Sequence, residues 1–427
     1  MELSAFHLIA VTAIAVMAAL VYLVLFEPGL DYSVQGPLPA CDSPDSRRLV
    51  AALVDAPLLD AAQVEVLASG RHFYAAELEA IRTASSSIHL EAYVFHRSPI
   101  ADQFLHALEE RAHAGVRVRL VIDAIGSFST PDRYFAALRD AGAKVQWYQP
   151  IRWHTFKRFN NRTHRELLIV DGAVGFVGGA GVAAWWDDGG GAAPWRDTMV
   201  RVQGRLASAL QTSFVENWLE SSGELLVEPA AFPCWQAPVP LSEAQAFGLA
   251  VTSAPSAGRA TRARILFQFL IASAAHSIKI NSPYFLPDRS LLRELCAAAR
   301  RGVAVDVVVP GRSNNHPIAR RASRRRYRAL LRSGVRLHEY VPSMMHAKVL
   351  VVDHVWSVVG STNFDNRSFG LNDEVNLAVQ HAELAAELER QFSDDLAQCR
   401  EVAPKVWRRP LTERVLAGLG ALLERQQ

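Results

Sequence analysis

Residues 3–26 are an apolar run whose most polar members are Ser4, His7, Thr12 and Tyr22. As one helix the run would rise about 36 Å, enough to cross a hydrocarbon core of about 30 Å with some tilt. No Lys or Arg precedes it and no small-x-small cleavage site follows, so the pattern predicts a single-pass anchor rather than a signal peptide. Neither flank carries Lys or Arg before Arg47 and Arg48, which leaves the orientation open. Residues 27–48, rich in Pro, Gly and Asp, predict a linker.

Beyond the linker the polar and apolar pattern is written twice. The strand-like run 87–95 matches 277–285, and helical patterns follow at 103–114 and 290–301. Val-rich strands come next, at 115–122 and 302–309. A second helical stretch in each copy leads to strand patterns at 141–150 and 333–342, then to short apolar strands at 167–170 and 349–352. Val- and Ile-rich runs of about eight residues are too short for helices. Strand, helix, strand, helix, strand is the α/β pattern, with helices covering a largely parallel sheet. We therefore expect two homologous α/β halves, 49–235 and 236–402. Residues 403–427 predict an amphipathic helix, with Pro410 in its first turn and Leu411, Val415, Leu419 and Leu422 on one face. Packing on the domain, or self-association into a homo-oligomer, is preferred for it over lying on a bilayer.

Composition adds exclusions. The 427 residues are 50% hydrophobic and 21% charged, which rules out a disordered or fibrous chain. Against 43 acidic residues stand 45 basic ones, so no global basic field points to nucleic acid, and none is expected as a partner. Cys41, Cys234, Cys296 and Cys399 form no C-x-x-C pair. Neither a zinc site nor a disulfide framework is read, and free thiols are expected over a Cys41–Cys234 bridge.

The chemistry sits at corresponding places in the two copies. His164-Arg165-Glu166 leads to Asp171, and His346-Ala347-Lys348 leads to Asp353, each histidine seven residues before its aspartate. A small-residue turn follows each, Gly178-Gly179-Ala180-Gly181 and Gly360-Ser361-Thr362-Asn363. On a strand, His346 and Lys348 share one face, as do His164 and Glu166. His, Lys, Ser and Asn together suit a cluster of anionic oxygens. Two histidines brought together can divide the roles of nucleophile and general acid. Asp171 and Asp353 suit two uses, capping the turns and holding the histidines.

The second motif, with Gly360, Ser361 and Asn363 after it, resembles the H-x-K-x-x-x-x-D signature of the phospholipase D superfamily. The duplication and N-terminal anchor are most similar to its bacterial cardiolipin synthase branch. Trp195-Arg196-Asp197-Thr198 and residues 371–376 also resemble that family, and the likeness spans residues 60–400. It implies paired α/β/α halves with one active site at their junction, and no metal or cofactor. One histidine would attack phosphorus to form a phosphohistidine, and the other would protonate the leaving alcohol and then deprotonate the acceptor. Asp171 and Asp353 would orient the imidazoles. Ser361, Asn363, Glu166 and Glu374 would bind substrate. The implied substrates are anionic, phosphatidylglycerol-like lipids, and the implied place is the bacterial inner membrane, with the side left open. Cardiolipin synthesis is thus the expected function. A phospholipase D hydrolase, a membrane-tethered nuclease of the superfamily and a lipid-binding protein with a decayed half-site are the alternatives. Which histidine is the nucleophile is left open.

The first motif departs from the family: Glu166 stands for Lys, and Gly179 and Gly181 for Ser and Asn. Arg165 points to the opposite strand face and cannot substitute. Glu166 has three readings: a working part of an asymmetric site, a strand residue turned away, or a mark of decay. The first is favoured, since both His–Asp pairs remain. Arg320, Arg321, Arg324, Arg325, Arg326 and Arg328, with Arg152, Lys157, Arg158, Arg162 and Arg165, form two basic patches. They read as solvated faces, as attractors of anionic headgroups, or as contacts for a nucleic-acid backbone, which keeps the nuclease alternative open. Trp185, Trp186 and Trp195 suit packing or a membrane interface.

Overall fold

A computed structural model describes residues 5–26, 31–61, 63–151, 160–187, 193–233, 246–255 and 260–403. Cys234, Arg152, Lys157, Arg158, the Gly run 189–191 and the expected C-terminal helix from 404 onward lie outside the described residues. Helix α1 (Ala5–Phe26) is one 22-residue helix. Its described side chains are His7 and residues 9–18, among which Ile9, Val11, Ile14, Val16 and Met17 are exposed. Among the described residues no helix is long and apolar enough to cross a membrane.

The chain continues through α2 (Pro44–Leu53), β1 (Leu59–Asp60), β2 (Val64–Leu67), α3 (Gly70–Thr83), β3 (Ser87–Ala92), α4 (Pro99–His113), β4 (Arg117–Asp123), α5 (Ala136–Asp140) and β5 (Lys144–Tyr148). Then come β6 (Arg162–Thr163), β7 (Glu166–Val170), β8 (Val174–Gly178), β9 (Met199–Gln203) and α6 (Arg205–Ser222). The second copy holds β10 (Phe247–Ser253), α7 (Arg262–Ser273), β11 (Ser277–Asn281), α8 (Arg289–Arg300), β12 (Ala304–Pro310), α9 (Pro317–Arg332) and β13 (Arg336–Tyr340). It ends with β14 (Val349–Val352), β15 (Trp356–Gly360), β16 (Asn372–Gln380), α10 (Ala382–Ala397) and β17 (Cys399–Glu401).

The first sheet runs β2-β9-β8-β7-β3-β4-β5, and the second repeats that order with β10, β16, β15, β14, β11, β12 and β13. Along these two orders β3-β4-β5 and β11-β12-β13 are parallel, and the strands from β7 and β14 outward return antiparallel. The sheets are therefore mixed, not largely parallel as expected. The turns explain it. Asp171 and Gly172 (φ 53° and 61°) and Asp353 and His354 (φ 51° and 60°) are the centres of primed two-residue turns, which reverse the chain into a hairpin.

Two segments cross between the halves. Helix α2 packs with the core of the second half and β1 pairs with β10, so residues 49–60 sit on the second half although the repeat assigns them to the first. Strand β6 leaves its own sheet and runs parallel to β16. A shared apolar layer then joins the halves. In it Val121, Ile169 and Val177 of the first sheet and Val308, Val351 and Val359 of the second pack with Phe214 of α6 and Phe392 of α10. Cys41 is buried, its thiol donating to the Ser273 carbonyl at 3.4 Å, and burial pushes its pKa up to about 12.

Candidate active site

Each histidine stands just ahead of a hairpin strand and is delivered to the opposite half. Because β6 lies along β16, the His164 N–H donates to the Asp373 carbonyl at 2.9 Å. His164 Nδ1 then lies 3.1 Å from Glu374 Oε2 on β16. In the other copy the Arg196 carbonyl accepts from the N–H groups of His346 (2.7 Å) and Ala347 (3.1 Å). This backbone clasp sets His346 Nδ1 2.8 Å from Asp197 Oδ2. Each imidazole is thus held by a carboxylate from the other half, which fixes the N–H at Nδ1 and leaves Nε2 with a lone pair. Asp197 is itself fixed by Trp186 Nε1 at 3.0 Å and Thr198 N at 2.8 Å. Glu374 also accepts from the Ser361 hydroxyl.

Lys348 is buried alongside His346. Its Nζ donates to the His346 carbonyl at 2.8 Å and lies 2.8 Å from Nδ1. Nδ1 cannot both give a hydrogen to Asp197 and accept one from Lys348. A carboxylate can only accept, so the Nδ1 hydrogen belongs to Asp197. Burial lowers the Lys348 pKa to about 8, against the pull of Asp197, Glu166, Glu374 and Asp365. Burial first, then Lys348, lowers His346 to about 4, so this imidazole is neutral at pH 7. Carboxylates of both halves act on one lysine, which makes this a single composite site.

The altered first motif faces that site. Glu166 is buried, and its Oε1 accepts from Val94 N at 3.3 Å. Burial holds its pKa well above the usual carboxyl range, with the Val94 amide and Lys348 pulling down and Asp197 pushing up. In the neutral form it presents an O–H donor and no charge to repel a phosphate. A Cβ at Gly179 would lie 2.6 Å from Asp197 Oδ1, and one at Gly181 2.4 Å from the Val94 carbonyl and 2.9 Å from Glu166 Oε1. The two glycines are therefore required by the packing around Glu166 and Asp197. Glu166 is not turned away.

The motif aspartates stand elsewhere. Asp171 accepts from the N–H groups of Ser85, Ser86 and Ser87, and from the hydroxyls of Ser85 and Ser86. Burial raises its pKa, but these donors outweigh that and hold it below the usual range. Asp353 accepts from the N–H groups of Ala275, His276 and Ser277. Neither meets an imidazole; they cap the start of β3 and β11. Glu374, expected to bind substrate, is engaged with His164. Asn363 is buried, and its Oδ1 has no partner among the described residues.

The basic and aromatic patches also divide. Arg165 is buried against Ser213 and Glu216, and Arg162 against Asp123 and the Gln149 carbonyl, so neither offers charge to a membrane. Arg320 pairs with Glu339 at 2.9 Å. Trp186 is buried on Asp197 instead of at an interface, while Trp185 and Trp195 stack at 4.9 Å. Sequence reasoning assigned no role to Asp197. Its signal was a carboxylate near the start of the strand after each hairpin, Asp197 two residues before β9 and Glu374 on β16.

Residues 78–214 and 268–396, one stretch in each half, match the family described as cardiolipin synthase, PLD-like domain, and the chain belongs to this family. Cardiolipin synthase A of Pseudomonas putida is 33% identical over 353 residues, covering 82% of this chain and 71% of that protein. Cardiolipin synthase of Alkalihalophilus pseudofirmus is 31% identical over 382 residues, covering 88% of this chain and 74% of that one. The crystal structure of a phosphatidylserine synthase from Haemophilus influenzae is similar in fold, with a TM-score of 0.70 at 16% identity over 89% of this chain and 99% of that one.

Proposed function

We propose that the chain is a phosphatidyltransferase of the cardiolipin synthase type, joining two phosphatidylglycerol-like lipids. The observation that carries this reading is the crossed pairing of two histidines with carboxylates from opposite halves. In the first step Nε2 of one imidazole attacks the phosphodiester phosphorus. A P–N bond forms, the P–O bond to the leaving glycerol breaks, and the second imidazolium gives that oxygen its proton. In the second step the acceptor hydroxyl attacks phosphorus, its proton passes to the second imidazole, and the P–N bond breaks. Lys348 and the neutral carboxyl of Glu166 would donate to the phosphoryl oxygens, where charge develops.

Attachment to the bacterial inner membrane is part of the same proposal. It is supported by the apolar sequence of α1 and by the exposure of its described apolar side chains. Lipid extracts from cells making the protein, compared with those making His346→Ala, test the reading. Cardiolipin rising only with the unsubstituted chain is expected. DNA cleavage without any change in lipids would select the nuclease, phosphatidic acid alone a hydrolase, and vesicle binding without turnover the lipid-binding protein.

A further inference from the structure

Large apolar side chains stand exposed around the end of the molecule that carries the histidines: Phe128 (81%), Ile151 (62%), Val341 (60%) and Trp185 (38%). Phe128, Ile151 and Val341 follow the carboxyl ends of β4, β5 and β13, and Trp185 follows β8. Strand pairing sets those ends level with the carboxyl ends of β3 and β11, where His164 and His346 stand. The rim also touches the site. Ser127, next to Phe128, donates its hydroxyl to the Tyr93 carbonyl at 2.9 Å, and the Tyr93 ring lies 5.1 Å from the His164 imidazole. Trp185 stacks on Trp195, whose ring lies 5.3 Å from the His346 imidazole. A single exposed apolar side chain is ordinary, but several crowning one site mark an interaction surface.

What covers this rim follows from where the chain leaves the domain. Asp31 pairs with Arg293 of α8 at 3.4 Å, and Tyr32 N donates to Ser290 Oγ at 2.9 Å. The Tyr32 carbonyl accepts from Arg293 at 2.6 Å, and the Arg264 guanidinium stands 4.6 Å from the Tyr32 ring. These contacts pin Asp31 and Tyr32 to the first turns of α7 and α8, at the same end of the sheet as the rim. Helix α1 ends at Phe26, and at about 3.3–3.6 Å per residue the steps from there to Asp31 reach at most about 18 Å. We propose that the catalytic end rests on the phospholipid bilayer, with Phe128, Ile151 and Val341 seated at the headgroup level and the mouth of the site against the leaflet. The inference goes beyond attachment by α1 and rests on the reading of α1 as the membrane anchor. Anchor and rim together hold the domain at two places, which fixes its orientation. Apolar side chains on polar loops suit the interfacial zone, and so does the indole of Trp185. A phosphodiester then reaches the histidines while its acyl chains stay in the leaflet.

The test puts an environment-sensitive fluorescent amino acid in place of Phe128, of Val341 or of His276 in the full-length protein, reconstituted in vesicles of phosphatidylglycerol and phosphatidylcholine. His276 is exposed beside the Asp353 turn, at the opposite end of the sheet. Lipids brominated high on their acyl chains are expected to quench the probe at the first two positions at least about twofold and to leave the third unchanged. In Phe128→Ser/Ile151→Ser/Val341→Ser, turnover of vesicle phosphatidylglycerol is expected to fall about tenfold, the scale of one apolar side chain left unburied. Turnover of a short-chain phosphatidylglycerol dissolved as monomers is expected to stay unchanged. A merely destabilised variant loses both turnovers equally. Protein that sediments with the vesicles without quenching at either rim position, or a variant that loses both turnovers equally, overturns the surface. Quenching reads no chemistry, so it stands apart from the phosphatidyl-transfer reading. Protein that stays out of the vesicles overturns the anchor reading, and the surface with it.

Discussion

Replacing Asp197 by Asn while leaving the motif aspartates alone separates orientation of the imidazole from stability of the fold. Asp197 meets His346 at 2.8 Å and is fixed by Trp186 and Thr198, so the variant keeps the shape and removes the charge. A hydrogen bond to a charged partner contributes about 1.5–3 kcal/mol. At about 1.4 kcal/mol per decade of rate, its loss lowers kcat by about 10- to 150-fold. Asp353→Asn is the contrast. Asn tolerates the left-handed φ of 51° at this turn, but it weakens acceptance from three N–H groups at 2.7, 2.7 and 2.9 Å. That variant is expected to lose about 1–3 kcal/mol of stability with kcat per folded molecule unchanged. Thermal unfolding and kcat normalised to folded protein measure both. An Asp353→Asn enzyme that loses kcat as Asp197→Asn does, without loss of stability, refutes the assignment.

Glu166→Gln is expected to keep most of kcat, because it preserves a neutral donor, while Glu166→Lys lowers kcat at least about tenfold by burying a second cation beside Lys348; equal activities in a steady-state assay contradict this. Gly181→Ala is expected to destabilise by about 1–3 kcal/mol through contact with the Val94 carbonyl, which a melting curve reads. Activity is expected to fall as pH rises through about 8, where Lys348 loses its proton, and Lys348→Arg moves that limb upward. The stability effect has the opposite sign. Between about 8 and 10.5 the unfolded chain holds the Lys348 proton and the folded chain does not, so this group makes stability rise with pH there. Denaturant titrations at pH 8 and 10 should lose that contribution in Lys348→Met.

The duplication was legible because each half must bury the same sheet, and Val-rich runs at 115–122 and 302–309 carry that constraint openly. His164, His346 and Lys348 were legible because a strand places alternate residues on one face. What the spacing concealed was the crossing of the chain. Asp171 stands seven residues from His164, yet its turn lies at the far end of β7, and the imidazole partner comes from β16 of the other half. The same crossing puts α2 and β1 on the second half, where no local pattern assigns them. Glu166 could be weighed only when Gly179 and Gly181 were found packed against its neighbours, since a lone carboxyl in sequence carries no record of its burial.

We propose that a phosphatidyl group rides on a histidine of this junction during transfer. Purified protein mixed with phosphatidylglycerol labelled in the phosphodiester, quenched in alkali and digested, measures it directly. Label is expected on a peptide carrying His164 or His346, with cardiolipin and free glycerol formed in equal amounts. Label on neither histidine peptide while cardiolipin accumulates would contradict it.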